Sequence, residues 1–95
     1  MNMSTRAPLI KVGQLFLNEG LNEYMIVTRN NQGQIAYAGL GFRGNLEDYD
    51  FIEKFPAVSP EDVDSAELAE LLAHCPPNTE ATVGFIGEGN ADEDE

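Results

Sequence analysis

The stretch Glu23-Tyr-Met-Ile-Val-Thr-Arg-Asn-Asn-Gln-Gly-Gln-Ile-Ala-Tyr-Ala-Gly-Leu40 decides the fold. Tyr24 to Thr28 is a run of β-branched and aromatic side chains, and Ile35 to Tyr37 repeats that chemistry after a polar break. Between them, Asn30-Asn31-Gln32-Gly33 supplies the residue types most tolerant of positive φ. Two such runs around a Gly-containing loop predict a β-hairpin. Tyr24 and Ile26 fall on the face opposite Met25 and Val27. Both faces are therefore apolar, as in a strand from the middle of a sheet.

On the N-terminal side, Leu9 to Leu17 reads as a first strand. It places Val12, Gln14 and Phe16 on one side, with Leu15 and Leu17 on the other. Gly13 within it predicts a bulge or the close approach of another backbone. On the C-terminal side, Gly39, Gly41 and Gly44 leave Leu40 and Phe42 on a loop or a sharply bent strand. Leu46 to Phe55 has two readings. Alternation groups Tyr49, Phe51 and Phe55 against Leu46 and Ile52, as in a strand. Asp48 and Asp50 are poor strand formers and fit a turn. Pro56 ends the segment.

A single helix is expected over about 59–75. Ser59-Pro60-Glu61-Asp62 resembles an N-cap with proline at the first helical position, and Asp64-Ser65-Ala66-Glu67 offers a second cap. Leu68, Leu71, Leu72 and Cys75 fall at i, i+3, i+4 and i+7, one apolar stripe. Pro76-Pro77 stops the helix, and Thr79 to Ile86 reads as a last strand. The expected organisation is a flexible 1–8, one small globular domain over 9–86 and a disordered acidic tail over 87–95. The expected class is α+β. Its alternatives are an antiparallel sheet with the helix across one face, or an SH3-like barrel with the helix inserted before the last strand. The strand order from Lys11 to about Pro56 resembles the meander of small SH3-like barrels.

The net charge of −12 is distributed unevenly over the 95 residues. Residues 1–45 balance at +2, residues 46–86 at −9, and the segment from Gly87 at −5. Such asymmetry is an interaction signal. It argues against direct binding to nucleic acid, which needs a basic face to displace counterions. Cys75 is the single cysteine, so no internal disulfide or cysteine zinc cluster is expected. With neither a leader-like apolar run nor a membrane span in the sequence, a cytoplasmic location is expected.

The candidate chemical constellations are weak. His74 and Cys75 are adjacent on a helix and point about 100° apart, so a core cysteine beside a dipole-stabilised histidine is favoured over a catalytic pair. Asp48, Asp50 and Glu53 lack the glycine and the terminal glutamate that a calcium loop needs. Carboxylate pairs for glycoside hydrolysis need a cleft that a domain of this size hardly encloses. Gly39-x-Gly41-x-x-Gly44 matches a dinucleotide pattern but does not open a helix after a strand. No enzymatic activity, metal or cofactor is expected. Tyr24, Tyr37 and Phe42 near Arg29 and Arg43 would suit a small-barrel nucleic-acid binder if those rings were exposed.

The remaining reading is protein binding by carboxylates. Glu47, Asp48, Asp50 and Glu53, together with Glu61, Asp62, Asp64, Glu67 and Glu70, are expected to line a surface facing a basic, nucleic-acid-handling partner. Carboxylates on a rigid scaffold can stand in for phosphates there, so an inhibitor or modulator of that partner, acting as a DNA mimic, is the expected role. In composition it resembles small acidic accessory inhibitors of phages and other mobile elements. The alternative is a structural or assembly accessory protein whose acidity only keeps it in solution. Deleting Gly87 to Glu95 is expected to leave the melting temperature unchanged, because that segment carries no apolar surface to bury. A drop of many degrees in a thermal melt would refute this.

Overall fold

The computed structural model describes residues 10–84. The elements run β1 (Gln14–Asn18), β2 (Glu23–Asn31), β3 (Gln34–Ala38), β4 (Arg43–Glu47), α1 (Asp48–Lys54), β5 (Ala57–Val58), a 3-10 turn (Pro60–Asp62), α2 (Ser65–Leu72) and β6 (Thr82–Val83). The sheet order is β4-β3-β2-β1-β5, with β6 pairing parallel to β1 and every other pair antiparallel. This is an open sheet, and the SH3-like barrel is not what forms. A second helix, α1, also stands where only a strand or a turn was expected.

The hairpin forms as the side-chain chemistry dictates. Gln32 and Gly33, at φ 54° and 92°, make the two-residue connection, and Asn30 Oδ1 accepts from the Gly33 N–H at 3.0 Å. The other end of that amide, Asn30 Nδ2, donates to the Ile10 carbonyl at 2.7 Å and ties the hairpin tip to the chain entering β1. β2 lies in the middle of the sheet, and Met25, Ile26 and Val27 are all fully buried. Consecutive residues point to opposite faces, so the sheet must be covered on both sides.

Two separate cores result. On one face Phe16, Met25, Val27 and Ile35 pack with Phe51 and Phe55 of the α1 region. The aromatic rings there meet edge-on, Phe16 with Phe51 at 4.6 Å and Phe51 with Phe55 at 5.1 Å between centroids. On the other face Leu15 and Ile26 pack with Val63 and with Leu71 of α2. Helical geometry over 48–54 buries Phe51 with its neighbour Ile52 half-covered, which alternation does not allow. Asp48 and Asp50, unfavourable in a strand, sit in the first turn of α1 near its positive end.

The helix expected over 59–75 is divided. Ser59 caps only the 3-10 turn: its hydroxyl accepts from Glu61 N–H at 3.3 Å, and its own N–H donates to Asp62 at 3.1 Å. Val63 then extends (φ −107°, ψ 133°) to place its side chain in the core. Asp64 restarts the helix by accepting from Ala66 N–H at 3.1 Å. The stripe of Leu68, Leu71, Leu72 and Cys75 faces the sheet as the spacing predicts.

The last strand is shorter than expected, with β6 spanning Thr82–Val83 within the described residues. It lies close because Gly13 (φ 100°) has no side chain: a Cβ there would stand 2.3 Å from the Glu80 carbonyl oxygen. Expectations for 1–8 and 87–95 fall outside the described residues. Leu71→Ala and Phe51→Ala empty one core each and should cost about 2–5 kcal/mol apiece. Denaturant unfolding of either variant at the wild-type midpoint would contradict the two-core arrangement.

Candidate functional site

The carboxylates singled out by charge do not form one surface. Asp48, Asp50 and Glu53 belong to α1, beneath one face of the sheet, whereas Glu47, at the end of β4 and paired with Gln34, points to the opposite face. Glu61, Asp62, Asp64, Glu67 and Glu70 belong to the 3-10 turn and α2, above the other. This corrects the single acidic surface expected over all of them. The cause is the two-sided burial of β2, which sends the two helices to opposite faces.

Asp62 and Asp64 are committed to capping bonds. Glu61 and Glu70 are exposed and Glu67 is half-exposed, and among the described residues none of them forms an ion pair. In the α1 group, Asp48 accepts from the Tyr49 N–H at 2.8 Å, and its own N–H donates to the Gly33 carbonyl at 2.8 Å. Among the described residues no three His, Cys, Asp or Glu side chains converge to hold a metal ion. No helix among them is long and apolar enough to cross a membrane.

The aromatic rings that a nucleic-acid surface would need are spent on packing. Tyr37 and Phe42 pack against the α1 core, and Tyr24 against the α2 core. The glycines of Gly39-x-Gly41-x-x-Gly44 serve the same packing. A Cβ at Gly39 would meet the Phe42 ring at 2.1 Å, and one at Gly44 would meet the Tyr37 hydroxyl at 2.7 Å.

Arg29 and Arg43 go the other way. Val27 pairs with Tyr37 but Arg29 pairs with Ala36, so Thr28 is an extra residue, a β-bulge. Regular alternation would turn Arg29 toward the α1 core with Val27. The bulge turns it to the opposite face, where Arg43 pairs with Ala38 and Asn45 with Ala36. α2 lies over β2 and leaves the β3–β4 half of this face uncovered. A cleft of about 610 Å³ opens there beside the end of α2, lined by Arg29, Ala36, Ala38, Arg43, Asn45 and His74 among others. Nothing in the linear spacing of these residues signals it, because a bulge has no residue signature. Small residues alternating on β3 at Ala36 and Ala38 are its one readable trace.

Cys75 lines the same cleft while half-buried against the α2 core. Its thiol donates to the Val27 carbonyl, with Sγ to oxygen at 3.6 Å. Burial pushes the thiol pKa up. That is the environment of a core cysteine rather than an activated nucleophile.

No family model matches this chain, and no curated protein or solved structure matches it.

Because the folded thiol ionises less readily than the unfolded one, its contribution to stability is complete below the unfolded pKa and is lost as pH rises through the folded value. Iodoacetamide should therefore modify native protein more slowly than urea-unfolded protein at the same mildly alkaline pH. Equal rates would show that Cys75 is not held in the core.

Proposed function

We propose that the protein is a non-enzymatic binding module of the cytoplasm that uses the acidic outer surface of α2 and its preceding turn to engage a basic, nucleic-acid-handling protein. The observation that carries the reading is the fixed display of Glu61, Glu67 and Glu70. Each stands on backbone held by the Asp62 and Asp64 caps and by the Leu71 anchor in the core. Carboxylates already positioned lose little entropy on binding, and their field speeds encounter with a cationic partner. Occupying a surface that otherwise receives phosphates would inhibit or modulate that partner, as a DNA mimic does. The α1 carboxylates, on the far side of the sheet, take a secondary part in steering.

The test begins with capture of partners from a lysate at low and high salt, followed by association kinetics with the purified partner. Glu61→Lys, Glu67→Lys and Glu70→Lys together leave both caps in place. The triple variant should associate about tenfold more slowly at low ionic strength and lose most of its salt dependence. Wild-type rates in the variant would leave acidity as a means of staying in solution, the role of an assembly accessory protein.

A further inference from the structure

We infer that the cleft between α2 and the β3–β4 half of the sheet is a binding site for a small phosphomonoester, anchored through its dianionic phosphate by Arg29 and Arg43. This site is separate from the acidic surface of α2 and does not depend on the role given to that surface.

Four observations converge on it. The cleft holds Arg29, Arg43 and the single histidine, His74, and no carboxylate lines it, although 17 of the 95 residues are acidic. Glu47 shares this face of β4 but lies outside the lining. Among the described residues neither guanidinium has a hydrogen bond or ion pair, so both donor forks are free for a ligand. Finally, the bulge at Thr28 is what brings Arg29 to this face, and the floor of Ala36 and Ala38 keeps the space beneath the two arginines open.

The ligand class follows from charge and size. Two guanidiniums match the charge of a phosphate dianion, whereas a single carboxylate would leave one of them uncompensated. The Asn45 amide and the Thr28 hydroxyl, both on the lining, add uncharged donors. The end of α2 is softened as a source of repulsion. The Ala69, Glu70, Leu71 and Leu72 carbonyls already accept from the N–H groups of Ala73, His74 and Cys75.

A smaller cleft of about 310 Å³ adjoins across Arg43 and His74, bounded by the Gly39–Phe42 loop with its exposed Leu40. It offers room for the organic part of the ester. The combined space suits a metabolite or a mononucleotide. A polyanion is disfavoured, because it would extend beyond the cleft into the field of a −12 chain.

The experiment is a titration of ¹⁵N-labelled full-length protein with inorganic phosphate, glucose 6-phosphate and AMP, read from amide chemical shifts. Saturable shifts confined to the cleft amides are expected, with the two esters binding more tightly than phosphate alone. Arg29→Gln with Arg43→Gln should weaken binding about tenfold or more. Lys11→Gln with Lys54→Gln, which removes two cations elsewhere, should change it by less than about twofold. All four positions are exposed, and a melt identical to wild type confirms that each double variant is folded. The proposal is overturned by the absence of saturable shifts at millimolar ligand, or by equal weakening in the two double variants. It is equally overturned by tighter binding of citrate or of an oligonucleotide.

Discussion

Three consecutive residues, Met25, Ile26 and Val27, are completely shielded from solvent. In a strand that is possible only if both faces of the sheet are covered, because neighbours point in opposite directions. The rest of the architecture answers this requirement. α1 closes one face with Phe51 and Phe55, and α2 closes the other with Leu71. The two α-helices among the described residues are short, of seven and eight residues, so neither spans the whole sheet. What they leave uncovered on the β3–β4 half becomes the cleft.

The same requirement separates the charges. Helices on opposite faces carry their carboxylates outward on opposite sides, so an acidic stretch that is nearly continuous in sequence becomes two surfaces in space. Arg29 of β2 and Arg43 of β4 stand together on the uncovered half of the sheet. A linear charge balance of +2 over the first 45 residues hints at that pole without locating it. The field around the molecule is therefore lopsided as well as negative, and a partner's approach is oriented as well as accelerated.

Much of the sheet was legible because strand chemistry is local. The hairpin, the two faces of β2, the close approach at Gly13 and the leucine stripe of α2 all follow from residue type and spacing. α1 was not legible because Phe51 and Phe55 are four apart, and a separation of four lies on one face in a strand and in a helix alike. The break at Val63 was hidden by two good caps in a row, of which the core selects the second for α2. The open sheet in place of a barrel depends on strand partners distant in sequence, which local pattern does not encode. The cleft was least legible, because one unpaired residue at Thr28 reverses which face Arg29 occupies.

The clasp between β1 and β6 has a consequence for the order in which the chain folds. β2, β3 and β4 are joined by short connections and can assemble while the rest is still searching. The parallel bridge from Gln14 and Leu15 to Thr82 and Val83 joins opposite ends of the described chain, and its ladder is only two residues long. Bringing those ends together costs loop-closure entropy that so short a ladder repays only once both cores are in place. The clasp is thus the last element to dock and the first to open, so local opening at this edge proceeds with the central meander intact. Exchange of backbone amides with solvent would then be graded across the sheet, fastest at β6 and slowest at the centre of β2.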